Sequence, residues 1–126
     1  MTDQDVSVLA VDDQPIFLDA ARDVVVATPG FDWVGGATSG AEALDAVEEL
    51  HPALVLLDVR MPGMDGFQTA QRISERHPEV VVVLISIEDH SSFAPTVEAS
   101  GAAALVRKQD FRPSVLRGLW EAWGGA

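Results

Sequence analysis

The sequence predicts an α/β domain, a doubly wound parallel sheet of five strands built as five βα units. Short aliphatic, β-branched runs alternate along the chain with stretches of helical periodicity. Two boundaries, LHPALVLLD and RHPEVVVVLIS, repeat one device: a helix end, a His-Pro pair, then a strand. Proline stops the helix, and the strand that follows is hydrophobic without alternation. Strands of that kind belong in a parallel sheet covered on both faces.

Each element has a local reason. VSVLAV, residues 6–11, is the first strand. Pro15 suits the first turn of the helix that follows, which carries Phe17, Ala20, Ala21, Val24 and Val25 at helical spacing. Pro29-Gly30 ends it. FDWVGGAT, residues 31–38, reads as a weaker strand suited to an edge. Ser39 is a candidate N-cap, with Glu42 as its capping-box partner, for a helix presenting Leu44, Val47 and Leu50 on one face. LVLLD is the third strand, and Phe67, Ala70 and Ile73 mark the third helix. The fourth strand ends in Ser86, and a polar loop leads to a weak helix around residues 94–99. Gly101 stops that helix, AAALV forms a modest fifth strand, and Pro113 opens a last helix. Phe17, Phe67, Ile73 and Leu116 are candidate core residues, while Trp120 and Trp123 are candidates for a partner surface.

Bulk properties narrow the function. The chain has 126 residues, the size of one domain, and 48% of them are hydrophobic, enough for a real core. A formal net charge of -12 argues against direct nucleic-acid binding, which draws its affinity from Lys and Arg on phosphates. It leaves room for a cation. Without cysteine, neither disulfides nor thiol chemistry apply. The polar N-terminus is unlike a signal peptide and no apolar run suggests a membrane span, so a cytoplasmic protein is expected.

Open α/β sheets bind ligands outside the carboxyl ends of their strands. Those ends carry Asp12 and Asp13, then Asp58, then Ser86, then Arg107 and Lys108. Clustered carboxylates repel one another and call for a counter-cation, and an all-oxygen set suits Mg²⁺. A carboxylate can also act as a nucleophile toward phosphorus. Phosphoryl transfer then needs placement and charge neutralisation. Lys108, the only lysine, and the Ser86 hydroxyl can supply both. Taken singly, each residue has a plainer explanation: a helix cap, a turn, a strand-end hydroxyl, a surface charge. Their convergence on one crevice is what independent caps and turns would not produce. His51, His77 and His90 sit at helix ends or in a loop and form no metal set.

The acidic pair Asp12-Asp13, the segment DVRMPGMDG with Asp58, Pro62 and Gly66, the Ser86 hydroxyl and Lys108 together resemble the receiver domain of two-component response regulators. The likeness spans essentially residues 1–126. It implies the flavodoxin-like fold of the chemotaxis regulator, with strand order 2-1-3-4-5. It implies that Asp58 accepts a phosphoryl group from a histidine kinase, a phosphotransfer protein or a small donor. Mg²⁺ would be held by Asp13 directly, by Asp12 often through water, by Asp58, and by the backbone carbonyl of Arg60. Ser86 and Lys108 would contact the phosphate. The signal would leave through the face made by the fourth helix, fifth strand and fifth helix, toward an output domain, a partner or a second copy. Such a domain catalyses only its own phosphorylation and dephosphorylation.

Three positions depart from the family pattern. Ile87 stands where a small residue usually follows the Ser/Thr, and is expected to narrow access to Asp58. Leu105 holds the place of the usual switch aromatic, so a ring swinging inward cannot carry the signal here. Gln109 rather than proline follows Lys108. These departures keep a second reading open, a degenerate receiver acting only as a protein-interaction module. A Mg²⁺-dependent aspartyl-phosphate phosphohydrolase would need a carboxylate where Arg60 stands, two residues after Asp58. A flavin-binding flavodoxin would need a phosphate loop where VDDQPIF offers two carboxylates.

Overall fold

A computed structural model describes residues 5–88 and 94–124. The elements run β1 (Val6–Val11), α1 (Pro15–Val26), β2 (Phe31–Ala37), α2 (Gly40–Leu50), β3 (Leu54–Asp58), α3 (Gly66–Arg76), β4 (Val81–Ser86), α4 (Ala94–Ser100), β5 (Ala104–Arg107) and α5 (Pro113–Trp123). The five strands are parallel, in the order β2-β1-β3-β4-β5. After β2 the chain crosses back over β1 to lay down β3. The order therefore reverses at β1 and β3, and a crevice opens between their carboxyl ends.

Strand alternation builds two cores. Leu9, Val11, Val55, Leu57, Val82 and Leu84 face α2 and α3, where Ala43, Val47, Ala70 and Ile73 are buried. Val8, Ala10, Leu54, Leu56, Val83 and Ile85 face α1 and α5, closed by Ala21, Val25, Phe111 and Leu116. The unbroken apolar runs of β3 and β4 are thus explained: both of their faces are covered.

Helix ends follow the sequence signals with instructive differences. Pro15 and Pro113 occupy first turns, where a missing N–H costs nothing. Ser39 caps α2 by accepting from the Glu42 N–H at 3.1 Å. The Glu42 carboxylate, however, turns back to the N–H and hydroxyl of Thr38, at 2.8 and 2.9 Å, so the expected reciprocal bond to Ser39 is displaced by one residue. A complete capping box stands instead on α3, between Asp65 and Gln68. His51 ends α2 in the left-handed conformation, φ 49°, because the following Pro52 disfavours a further right-handed turn. Ala20 and Leu50, placed by periodicity on buried faces, are exposed. β2 is an edge strand, and a register shift opposite Val8 and Leu9 leaves Val34 as an extra residue. β5 begins at Ala104 rather than Ala102 and runs through Arg107. Ile73 and Leu116 are fully buried; Phe17, Phe67 and Trp120 pack at the core margins, and Trp123 is exposed. His90 lies outside the described residues.

Gly118 sits mid-helix in α5 with open space where a Cβ would stand. Gly118→Ala is expected to add about 0.5–1 kcal/mol of stability by restricting the unfolded chain. Chemical denaturation should show a higher midpoint at an unchanged slope.

Candidate functional site

The crevice is assembled from four strand ends. β1 hands over to α1 through Asp12, which is wholly buried. Its Oδ1 accepts the N–H of Gln14 at 2.8 Å and so fixes where α1 begins. Its Oδ2 meets the Lys108 ammonium at 2.6 Å. That approach lies off the hydrogen-bond directions, so Oδ2 is ion-paired yet lacks an aligned donor. Asp13, the next residue, is exposed to the crevice.

Asp58 closes β3, paired in register with Ile85 of β4. It is 6% exposed, with Oδ1 at 3.4 Å from the Arg60 N–H and 3.7 Å from Lys108 Nζ. Carboxylate oxygens of Asp12, Asp13 and Asp58 all lie within 4.8 Å of one another. Burial, and next the negative charge of Asp12, push the Asp58 carboxyl up to about 6; the Lys108 charge and the Arg60 N–H oppose them. A carboxylate at a buried strand tip is therefore under real electrostatic pressure, relieved only in part by one ammonium.

Ser86 ends β4, buried, its Oγ accepting the Glu88 N–H at 3.0 Å. Lys108 follows β5 on a 3₁₀ turn, its side chain 15% exposed. Asp13, Gln14, Asp58, Arg60, Ser86, Ile87 and Lys108 line one cavity of about 170 Å³. The fold thus brings Asp13, Asp58, Ser86, Ile87 and Lys108 together, with Asp12 behind them. Leu105 lies elsewhere, in a groove of about 630 Å³ shared with Val97 of α4 and Trp123 of α5.

Three features escaped the sequence reading. The Arg60 guanidinium donates to Glu88 Oε1 from Nε at 3.1 Å and from Nη2 at 2.6 Å, tying the loop after β3 to the loop after β4. Both residues stand two places beyond strand-end residues, Asp58 and Ser86, so the pairing is a consequence of sheet register. Phe17 of α1 lies under Lys108, with Nζ 4.7 Å from the ring centroid. Gly66 opens α3 directly against the Asp58–Val59 backbone, and its N–H donates to the Val59 carbonyl at 2.9 Å.

Known proteins share this architecture. The model of the response regulator receiver domain matches residues 8–118. The nitrate/nitrite response regulator NarL of Escherichia coli K12 is 29% identical over 119 residues, covering 94% of this chain and 55% of that protein. The transcriptional regulatory protein DegU of Brevibacillus brevis is 27% identical over 104 residues, 82% of this chain and 44% of DegU. This chain therefore spans about half the length of these relatives. The solved signal receiver domain of NarL from Mycobacterium tuberculosis superposes with a TM-score of 0.88 at 30% identity, covering 98% of this chain and 99% of that one. The CheY of a CheX–CheY–BeF3–Mg²⁺ complex from Borrelia burgdorferi superposes with a TM-score of 0.83 at 25% identity, covering 94% and 89%. With strand order, crevice and family model in agreement, the chain belongs to the response regulator receiver domain family.

Proposed function

We propose that this domain is a phospho-accepting switch of a two-component phosphorelay, with Asp58 as the acceptor. One observation carries the reading: Asp58 and Ser86, at the ends of β3 and β4, and Lys108, just past β5, face a single small cavity beside an acidic cluster. An Asp58 carboxylate oxygen attacks the phosphorus of the donor, a phosphohistidine or a small acyl phosphate. The P–N or P–O bond to the donor breaks, and the leaving group departs with the bonding pair. Lys108 supplies positive charge beside the acceptor, and Ser86 turns its hydroxyl from the Glu88 N–H toward the new phosphoryl oxygens.

The residues fit a magnesium ion. The clustered donors Asp12, Asp13 and Asp58 are all oxygen, and the Arg60 backbone carbonyl would complete the set as the family likeness implies. Three carboxylates share one small crevice, and after burial itself the charge of Asp12 does most to raise Asp58. When bound, Mg²⁺ would offset that repulsion and the charge of the transferring group. The CheY relative was solved with Mg²⁺ and BeF3, in keeping with this assignment.

Arg60, at the place where a phosphohydrolase would carry its acid/base carboxylate, is engaged with Glu88, which favours a signalling domain without an external substrate. Partners on this reading are a histidine kinase or phosphotransfer protein on the input side. On the output side stands the α4–β5–α5 face, whose groove around Leu105 and Trp123 suits an output domain or a second copy. Among the described residues no helix is long and apolar enough to cross a membrane. DNA binding by the whole protein would reside in another part, given the charge of this one.

The test is direct. Purified protein treated with acetyl phosphate and Mg²⁺ should gain one phosphoryl group by intact mass, and neither Asp58→Asn nor EDTA-treated wild type should. No gain on wild type would instead favour a receiver that only binds partners. Ile87 is 65% exposed and lines the cavity, a side chain at the mouth rather than in the core. Ile87→Ala should accordingly be phosphorylated by acetyl phosphate, or hydrolyse its phosphate, several-fold faster; equal rates would show that the mouth is already wide enough.

A further inference from the structure

We propose that Phe17 is a positioning residue for Lys108: its ring holds the ammonium in place between Asp12 and Asp58. The inference rests on the phosphoacceptor reading only for its kinetic consequence. A lysine stem has four carbons and many rotamers, so an unrestrained ammonium would settle wherever the local charge is greatest. Here that place is Asp12, whose Oδ2 is buried and lacks an aligned donor. Nζ already touches Asp12 at 2.6 Å, and an ammonium free to pivot about that contact would swing away from Asp58, 3.7 Å off.

The geometry supplies a third hold. Nζ stands 2.6 Å from Asp12, 3.7 Å from Asp58 and 4.7 Å from the Phe17 centroid, within cation–π range of a ring face. The side chain of Lys108 is 15% exposed, so the contact is largely screened from water and stronger than one at an open surface. The ring is itself anchored. Phe17 is half-buried and packs against the cluster containing Ala21, Ile85 and Leu116. Its place along α1 is set by Asp12, whose other oxygen fixes the helix start at Gln14. One aspartate therefore positions both the cation and the ring on which the cation rests. Neither a Leu nor a Met at position 17 would offer the negative face that an ammonium requires.

Because Lys108 is the only lysine, protein grown with labelled lysine yields a single ε-methylene resonance. In wild type that resonance should be displaced by the ring current of Phe17. It should relax to its ordinary position in Phe17→Leu and stay displaced in Phe17→Tyr. With acetyl phosphate and Mg²⁺, well below the unfolding temperature, Phe17→Leu should be phosphorylated about five-fold more slowly, the scale of one partly desolvated cation–ring contact. Phe17→Tyr should run close to wild type. In a Lys108→Ala background, Phe17→Leu should bring no further loss. An unshifted wild-type resonance, or an equal slowing with and without Lys108, would overturn the proposal and reduce Phe17 to packing. Failure of wild type to take up phosphate would sink the phosphoacceptor reading instead, leaving the resonance to decide the contact.

Discussion

Gly66→Ala is expected to cost about 3 kcal/mol or more, the upper range for forcing an atom into a filled site. A Cβ at position 66 would stand 2.7 Å from Val59 Cα and closer still to the Asp58 carbonyl oxygen. Both are backbone atoms at the tip of a central strand, so no side-chain rotation can make room. Relief requires α3 to draw back, breaking the bond from the Gly66 N–H to the Val59 carbonyl and shifting the Asp65 cap. The same movement would carry Asp58 away from Arg60 N–H and Lys108. Chemical denaturation should therefore show a large fall in stability, and the folded fraction should take up phosphate slowly. A variant as stable as wild type would mean that the close approach is not required.

Asp58→Asn is expected to stabilise the metal-free protein at pH 8 while abolishing phosphorylation. In the unfolded chain Asp58 ionises near its ordinary 3.8; in the crevice it ionises near 6. The folded state thus holds that proton more tightly. Its contribution is fully present below pH 4, is lost as pH rises from about 4 to about 6, and stays lost above. A difference of this size corresponds to about 3 kcal/mol at most, and solvent reaching the crevice mouth reduces it to about 1–3 kcal/mol. Asparagine does not ionise and escapes the loss. Denaturation curves in EDTA should show the variant ahead by that amount at pH 8, with the gap closing toward pH 4. Adding Mg²⁺ should stabilise wild type more than the variant, because it relieves a repulsion that the variant lacks. An Asp58→Asn protein less stable than wild type at pH 8 in EDTA would contradict this account of the crevice.

The element order was legible because its causes are local. Continuous apolar runs specify strands buried on both faces, and proline and glycine mark where helices must start and stop. Ser39, Pro15, Pro113 and Gly101 act within a few residues of themselves and were read correctly. Periodicity failed at Ala20 and Leu50, where each helix presents a narrower face to the sheet than the hydrophobic count suggests. The Glu42 carboxylate had two local partners within reach, and sequence spacing alone could not tell Thr38 from Ser39.

Residue types and strand ends were enough to nominate Asp12, Asp13, Asp58, Ser86 and Lys108, since parallel strands deliver all their carboxyl ends to one edge. Linear order could not say which residues meet across that edge. The crossing from β2 over β1 to β3 sets Asp58 beside Asp12, and the register of β3 on β4 joins Arg60 to Glu88. The packing of α1 against the sheet slides Phe17 beneath Lys108, a residue 91 positions later in the chain. Contacts of that range depend on how whole elements dock, and docking is decided by the summed packing of both cores rather than by any one residue's neighbours.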